Sequence, residues 1–371
     1  MRILLVWLLL LGCSIAAPWE NPLMFARSVD GIVFTPPAVF QDSSGVPSVI
    51  RWRGDTLVCA FQWCRLPVGG PTWDKVAVKF SYDRGHTWTE PQPIVVDGLP
   101  PTFQRPFDPT LVPVTADSLR IYFSSSNGLP PPGGDSIINT YSAISTDGIH
   151  YVFEPGARVD HPTRRVIDPA VVWFRGSWHY AAPIGAPQEG AYHYLSSDGL
   201  RFVRGPDILS DPQHNWTGNF MAEDTGELRF YGCGSVGVWF NSSPDGGHWV
   251  GYTNTSLRGG DPSVVKLGDD DYLAVFVGPP YSGVADRPNR PNRTVAIYPN
   301  PTGSLITVRC DGLGPRLRYT VSDPGGRVWA RGQIPGRSGT IDMGGLCPGV
   351  YLISLSLPDG SMSCVVTRLV R

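Results

Sequence analysis

Short apolar-rich runs, bounded by turn-forming residues, follow one another along most of the chain. Examples are Leu57–Phe61, Leu119–Phe123 and Trp178–Ala182. Runs of this length between Gly, Pro, Asn and Asp are typical of β-strands, and none carries the 3.6-residue periodicity of an amphipathic helix. The pattern therefore predicts an all-β protein.

A short turn pattern, Ser-x-Asp-Gly followed by an aromatic residue, recurs in the N-terminal three quarters of the chain. It begins at Ser28, Ser145, Ser196 and Ser243, and a longer version runs from Ser81 to Trp88. The Asp residues are 53, 64, 51 and 47 positions apart and are Asp30, Asp83, Asp147, Asp198 and Asp245. A repeat near 50 residues without helices predicts a radial arrangement of β-sheets.

A second pattern, in which an apolar strand begins with a residue followed by Pro, is interleaved with the first. It occurs at Val46-Pro47, Asp108-Pro109, Asp168-Pro169 and Asp261-Pro262, and counting back from the next turn places Thr217 in the equivalent position of a further unit. The five openings and the five Asp-Gly turns are out of phase. A closed ring resolves this if residues 262–278 and the strands between Leu23 and Phe40 form one sheet. We therefore predict a five-bladed β-propeller, closed by the N-terminal strands, over residues 21–285.

The segments outside the propeller have different compositions. Arg2, the apolar run Ile3–Leu11 and Ser14-Ile15-Ala16 predict a signal peptide over residues 1–17, with a lipoprotein signal ending at Cys13 as the alternative. No later run is long enough to predict a transmembrane segment. Residues 286–295 are predicted to be a linker, and residues 296–371 a small immunoglobulin-like β-sandwich of about seven strands.

Composition and charge narrow the functional classes. Gly 43 and Pro 37 in 371 residues argue against a helical bundle, and a formal charge of −2 gives no electrostatic basis for binding nucleic acid or an anionic membrane. The cysteine and histidine spacings match no metal site, so we predict neither a metal nor a cofactor. Cys59 lies in a strand-like run and is predicted to be a buried free thiol.

The C-terminal segment resembles the type A sorting domain of the type IX secretion system. The resemblance rests on Tyr298-Pro299-Asn300-Pro301, the Asp323-x-x-Gly326 turn and Leu346-x-Pro348-Gly349-Val350-Tyr351. It implies an exported protein of a Bacteroidota-like Gram-negative bacterium, with the secretion machinery as partner and the outer surface or the medium as destination. An ordinary immunoglobulin-like module is the alternative.

The stretch from Ser81 to Trp88 resembles the Asp-box of sialidase-type propellers. A short Asp side chain can accept hydrogen bonds from turn amides, and Gly adopts the dihedral angles that the turn needs. The resemblance implies that Asp30, Asp83, Asp147, Asp198 and Asp245 are structural and lie on the face away from the mouth of the propeller.

The strand openings place three carboxylates at one level of the predicted central funnel. They are Asp108, Asp168 and Asp261, and Val46 and Thr217 occupy the two remaining positions. Carboxylates around one axis repel one another and raise at least one pKa, which can separate a general acid from a base, as glycoside hydrolysis requires. The alternative is that each Asp only caps its own turn.

The Asp-Pro openings resemble those of the five-bladed family 43 glycoside hydrolases. The resemblance implies a glycan or polysaccharide substrate, catalytic funnel Asp residues and a Glu as general acid. Glu189, in the loop between the second and third strands of its unit, is the best candidate for that acid. Glu223 is placed at the far end of its strand and suits the role less well.

Charged and aromatic residues are expected near the mouth. Arg105, Arg165 and Arg258, together with Arg65, are candidates for binding an anionic group. Trp63, Trp216 and Tyr281, together with Trp73 and Phe103, are candidates for stacking on sugar rings. Solvated loop arginines and aromatic side chains packed within loops are the alternatives.

Two other functions remain open at this point. Gly45-Val46-Pro47-Ser48 also resembles the first blade of sialidases, but Gly45 stands where that family has the Arg that binds the sialic carboxylate, which argues against an exo-sialidase. A non-catalytic surface propeller that binds glycan or protein would use the same scaffold.

Overall fold

The computed structural model describes residues 21–65, 70, 73–128, 137–223, 226–279, 294–298, 302–311, 316–323, 327–335, 338–356 and 362–369. Within these ranges the regular elements are β-strands, apart from one turn of 3-10 helix at Pro187–Glu189. No helix in the described part of the chain is long and apolar enough to cross a membrane. The all-β class predicted from the sequence is confirmed. The predicted signal peptide lies outside the described residues.

The described residues form two compact units. The first contains residues 21–63 and 75–279. The second contains the described residues from 294 onward together with residues 64–65, 70 and 73–74. Each unit has its own sheets.

The first unit is a five-bladed β-propeller. The chain begins with β1 (Leu23–Ser28) and β2 (Ala38–Gln41). Blade 1 follows with β3 (Ser44–Arg53), β4 (Thr56–Trp63), β5 (Lys75–Ser81) and β6 (Gln92–Pro93). Blade 2 contains β7 (Val95–Asp97), β8 (Phe107–Thr115), β9 (Ser118–Ser126), β10 (Ile138–Ser145) and β11 (His150–Val159).

The remaining blades have four strands each. Blade 3 contains β12 (Ala170–Phe174), β13 (Ser177–Pro183), β14 (Ala191–Ser196) and β15 (Val203–Arg204). Blade 4 contains β16 (His214–Ala222), β17 (Leu228–Gly234), β18 (Gly237–Ser243) and β19 (Tyr252–Asn254). Blade 5 combines β20 (Gly260–Gly268) and β21 (Asp271–Val277) with the first two strands, in the order β2-β1-β21-β20.

Blade 5 joins the two ends of the propeller. β1 pairs antiparallel with β21 from Leu23 opposite Val277 to Ser28 opposite Tyr272. This is the pairing that the out-of-phase repeats predict. It covers the backbone edges that β1 and β21 would otherwise expose to solvent. In blade 2, β7 adds a fifth strand by pairing parallel with β11.

Five clusters of buried hydrophobic side chains hold the ring together, one at each interface between neighbouring blades. Alternation along a strand produces this arrangement, because successive side chains point to opposite faces. On β4, Val58 packs toward blade 2, whereas Leu57 and Cys59 pack toward blade 5. Cys59 is a free, fully buried thiol, as predicted.

The described residues of the second unit form seven strands in two sheets, β22-β23-β26 and β25-β24-β27-β28. Their bounds are β22 (Thr294–Tyr298), β23 (Leu305–Asp311), β24 (Arg316–Ser322), β25 (Val328–Pro335), β26 (Ser338–Asp342), β27 (Gly349–Ser356) and β28 (Met362–Leu369). Ile306 and Val308 of the first sheet share one buried cluster with Val321 and Ile353 of the second. The two sheets therefore enclose a common hydrophobic core.

Candidate active site

The equivalent opening residues of four blades share an unusual backbone conformation. Val46, Asp108, Asp168 and Asp261 have φ angles of 47°, 50°, 52° and 42°. The left-handed region is tolerated by Asp but is strained for a β-branched residue such as Val. In blades 1, 2 and 5 the pairing of the innermost strand with its neighbour shifts register at this point, and in blade 4 it shifts between Asn215 and Gly218. We call these opening residues, together with Thr217, the five slots.

Four of the five slots line one narrow central pocket. Its walls include Val46, Asp168, Thr217 and Asp261, and blade 2 contributes Pro109, which follows Asp108. The backbone N–H of Asp168 lies 3.4 Å from Oδ2 of Asp108. The structure therefore brings together the three carboxylates that the sequence assigns to the funnel.

The surroundings of the carboxylates separate their protonation behaviour. Burial raises the pKa of Asp168 well above its usual range, the charges of Asp108 and Asp261 raise it further, and Arg165 acts in the opposite direction. Burial, with a smaller contribution from Asp108, raises the pKa of Asp261 to about 6. Asp168 therefore holds its proton more tightly than Asp261 does, so the pocket can offer a proton donor beside a carboxylate base.

Glu189 lies in different surroundings. It ends the 3-10 turn, its Oε2 is 2.6 Å from Nη1 of Arg164, and its Oε1 accepts a hydrogen bond of 3.3 Å from the amide of Ala186. The Arg164 hydrogen bond, followed by that of Ala186, lowers the pKa of Glu189. A general acid needs a raised pKa, so these surroundings oppose the role that the sequence analysis gives to Glu189.

Glu223 is a buried structural carboxylate. Its oxygens lie 2.8 Å from Nζ of Lys266 and 3.0 Å from Nη1 of Arg229, and Tyr272 donates a hydrogen bond of 2.8 Å to it. Two cations and a hydroxyl therefore compensate the buried charge.

Two of the aromatic residues expected at the mouth belong to the core instead. Trp63 is 5% exposed and packs in the cluster between blades 5 and 1, and Trp216 is 1% exposed and packs in the cluster between blades 3 and 4. The expectation that they stack on sugar rings is wrong, because strand alternation turns both indoles into the interfaces between blades. Phe103 packs edge-to-face on Tyr141 at 5.1 Å. Tyr281 lies outside the described residues.

The candidate arginines differ in their contacts. The guanidinium of Arg105 lies 5.5 Å from the ring centre of Phe107. Arg165 is exposed and close enough to Asp168 to lower the pKa of that carboxyl. Arg258 donates to the carbonyl oxygens of Val236 at 2.9 Å and Leu257 at 3.3 Å, which anchors its loop. The charge of Arg165 therefore acts on a funnel carboxylate.

The Asp-box residues cap their own turns with nearly identical geometry. Oδ1 of Asp198 accepts hydrogen bonds of 2.8 Å from the amides of Leu200 and Arg201, and Ser196 accepts one from Gly199 at 2.9 Å. Asp30, Asp147 and Asp245 accept the same pair of amide hydrogen bonds. Asp83 instead accepts hydrogen bonds from the backbone N–H and the hydroxyl group of Thr87. These hydrogen bonds lower the pKa of Asp198 to about 2, with that from Arg201 the largest. The geometry fits the structural role that the resemblance implies.

A second ring of polar side chains stands two residues beyond the slots, and the sequence analysis does not identify it. Oγ of Ser263 accepts a hydrogen bond of 2.9 Å from the amide of Val49, and Oγ of Ser48 accepts one of 3.0 Å from the amide of Leu111. Thr110 and Asn219 occupy the same place in blades 2 and 4, and blade 3 has Ala170 there. We call Ser48, Thr110, Asn219 and Ser263 the inner belt. Each of these residues lies two positions after a slot, and this constant spacing is the sequence pattern from which the inner belt could have been predicted.

Among the described side chains no group of His, Cys, Asp and Glu has an arrangement that could hold a metal ion.

The comparisons with known proteins concern the fold alone. No protein-family model and no curated protein matches the chain. Among solved structures, an exo-β-1,3-galactanase of Phanerochaete chrysosporium is 10% identical, with 92% of this chain and 99% of that chain covered and a TM-score of 0.45. An α-L-arabinofuranosidase of Clostridium thermocellum is 14% identical, with coverages of 89% and 96% and a TM-score of 0.42.

A mutant of Trypanosoma rangeli sialidase with trans-sialidase activity is 13% identical, with coverages of 91% and 86% and a TM-score of 0.40. Glycosidases and a sialidase are thus among the solved structures that resemble this chain.

Proposed function

We propose that the propeller acts on glycans as a glycoside hydrolase-like protein, with Asp168 as the general acid. The observation that carries this proposal is that Asp168 and Asp261 line one pocket, with Oδ2 of Asp108 3.4 Å from the backbone N–H of Asp168. Burial and the neighbouring carboxylates raise the pKa of Asp168 well above its usual range, and burial raises that of Asp261 to about 6. Two carboxyl groups with separated pKa values are what the cleavage of a glycosidic bond requires.

In this proposal each acid has a defined task. Asp168 donates its proton to the glycosidic oxygen as the bond to the leaving sugar breaks. Asp108 or Asp261, in its ionised form, either removes a proton from the attacking water or attacks the anomeric carbon itself. Glu189, ion-paired with Arg164, has no proton-transfer role.

The test is hydrolysis of a panel of polysaccharides and aryl glycosides by the full chain. Asp168→Asn keeps the size of the side chain but removes the transferable proton, so we expect a loss of about 100-fold or more in kcat. Asp117→Asn is the matched control, because Asp117 is exposed in the turn between β8 and β9. Equal activity of the wild type and Asp168→Asn on a cleaved substrate would contradict the assignment.

A non-catalytic glycan-binding propeller is the second candidate, and the narrowness of the pocket favours it over hydrolysis. About 10 Å³ of the pocket is open to the centre of a water molecule, which is close to the space that one water needs. A sugar that contacts only the rim of such a pocket would be bound without being cleaved. A glycan array probed with the full chain distinguishes the two functions. If a glycan binds equally well to the wild type and to Asp168→Asn, and the wild type does not cleave it, the result supports the binding function and excludes hydrolysis of that glycan.

We further propose export through the type IX system, with residues 1–17 as signal peptide, 286–295 as linker and 296–371 as sorting domain. The supporting observations are the apolar N-terminal run and the three C-terminal sequence patterns. Expression in a bacterium that has this system provides the test. The full chain is expected at the cell surface or in the medium, and a chain that ends at residue 295 is expected in the periplasm. Surface delivery of the shortened chain would refute the sorting role.

A further inference from the structure

We propose that Asn219 is a positioning residue that fixes the relative placement of Asp108 and Asp168, although its own blade contributes no carboxylate. The inference rests on the proposed function of the funnel. Asn219 lies on β16, two residues beyond Thr217, and is 8% exposed.

The side chain of Asn219 reaches across the axis of the propeller. Its Nδ2 donates a hydrogen bond of 3.1 Å to the carbonyl of Pro47 in blade 1, and its Oδ1 lies 3.2 Å from Oγ1 of Thr110 in blade 2. Blade 4 packs against blades 3 and 5, so both partners belong to blades that are not its neighbours. One amide therefore connects inner strands that share no sheet and no direct interface with β16.

Thr110 extends this connection to blade 3. Its Oγ1 also contacts the carbonyl oxygen of Pro169. A hydroxyl group has one hydrogen, so Thr110 donates it to Asn219 or to Pro169 but not to both at once, and the Asn219 amide competes with Pro169 for it. These contacts run from Pro47 through Asn219 and Thr110 to Pro169.

Each connected group lies one or two residues from a slot. Pro47 follows Val46, Pro169 follows Asp168, and Thr110 is the second residue after Asp108. Val46, Asp108 and Asp168 have left-handed φ angles and precede prolines, which have no N–H to donate. The carbonyl of each proline is therefore a hydrogen-bond acceptor one residue from the slot. In blade 3 the inner-belt position is Ala170, which has no polar side chain, so the contact from Thr110 takes its place.

The predicted consequence concerns the repulsion between two carboxylates. Like charges move apart when their backbones are released, and each then affects the protonation of the other less strongly. A merely structural role for Asn219 would lower the stability of the propeller and leave the titration of Asp168 in the folded protein unchanged. Titration therefore separates positioning from packing.

The experiment follows the carboxyl carbon of Asp168 by NMR in the full chain labelled with ¹³C-aspartate. In Asn219→Leu, which has a similar volume but no hydrogen bonds, we expect the titration midpoint of Asp168 to fall by about one pH unit. Thr110→Val should act in the same direction, and Thr110→Ser, which keeps the hydroxyl, should titrate like the wild type. An unchanged midpoint in folded Asn219→Leu or Thr110→Val overturns the proposal. The Thr110 pair decides the question if Asn219→Leu does not fold.

The outcome is independent of whether a substrate is found. A shifted midpoint in a protein that cleaves no glycan leaves the positioning role standing and removes the hydrolase function. Conversely, if glycan is cleaved and Asn219→Leu shows the wild-type pH profile, the function stands and the positioning role is wrong.

Discussion

The backbone N–H of Asp168 lies 3.4 Å from the carboxylate oxygen Oδ2 of Asp108, so blade 3 meets the acid of blade 2 at the funnel. The carboxyl group of Asp168 therefore stands in the field of a neighbouring negative charge. Burial is the largest cause of its raised pKa, and the charge of Asp108 is the next. This order of causes predicts how the pKa of Asp168 changes when Asp108 is replaced.

Asp108→Asn is expected to lower the pKa of Asp168 without returning it to its usual range. The substitution removes a like charge but leaves the burial that dominates the shift. Titration of the Asp168 carboxyl carbon by NMR measures the change, with Asp117→Asn as the surface control. A pKa that does not move would mean that Asp108 is neutral in the folded protein or does not interact with Asp168.

Asp261→Asn is expected to stabilise the propeller at pH 7–8. The pKa of Asp261 is about 6 in the folded chain against an ordinary value of 3.8, so the folded state binds the proton more tightly than the unfolded state does. The resulting stability is present below about pH 4 and is lost as the pH rises through 6. A shift of this size corresponds to at most about 3 kcal/mol of unfolding free energy at pH 8.

Urea denaturation of the wild type and Asp261→Asn at pH 4 and pH 8 measures this effect. The variant should exceed the wild type at pH 8 and approach it at pH 4. A variant that is less stable than the wild type at both values would show that Asp261 is held by favourable contacts, as a structural turn cap would be.

Spacing in the sequence was sufficient to predict the scaffold and the three acids. The out-of-phase repeats predict that the N-terminal strands share a sheet with the last strands, and Phe25 is indeed the register partner of Val275. The same counting places Asp108, Asp168 and Asp261 around one axis because equivalent residues of successive blades occupy equivalent positions. Both results follow from the repeat alone.

Contacts between loops and across the axis were not predictable in this way. Glu189 looks like an available acid in the sequence, but Arg164, 25 residues earlier, lies on a separate loop that folds against it. Trp216 stands next to a slot, yet it lies within the register shift of β16 and its indole packs in the core. Asn219 depends on partners 172 and 109 residues away, which no local pattern connects to it.

His193→Phe is expected to reduce the loss of stability on acidification. His193 and His179 stack in blade 3 with their rings 5.6 Å apart and with Nε2 and Nδ1 separated by 3.4 Å. Burial, assisted by the neighbouring His179, lowers the pKa of His193 to about 4, and burial also lowers that of His179. Asp207 and Asp245 face the pair and oppose these shifts without reversing them.

The sign follows from the order of proton binding. The unfolded chain protonates His193 near pH 6.5 and the folded chain only near pH 4, so unfolding becomes easier as the pH falls between these values, by up to about 3 kcal/mol. Denaturation midpoints of the wild type and His193→Phe between pH 7 and pH 4 measure the difference. His86→Gln, at an exposed histidine, should retain the wild-type slope. If the stability of His193→Phe falls with pH as steeply as that of the wild type, the two imidazoles do not cause the loss of stability in acid.

Gly246→Ala is expected to be more destabilising than an ordinary substitution of a turn glycine. Gly246 belongs to the Asp-box turn of blade 4 and has a φ of 81°, where a Cβ atom would overlap the imidazole of His179. His179 is 4% exposed and stacked on His193, so it has little room to move away. The left-handed conformation costs about 1 kcal/mol for Ala, and the overlap adds roughly 1–3 kcal/mol.

Gly176→Ala is the matched control for this prediction. Gly176 has a φ of 83°, and a Cβ atom added there would meet no atom within 4 Å beyond its chain neighbours, so only the backbone contribution should remain. The difference between the unfolding free energies of the two variants therefore isolates the contact between the blade 4 turn and His179. Equal losses would mean that His179 is displaced easily, and the interface between blades 3 and 4 would then not depend on the fit of the imidazole against the Asp-box turn.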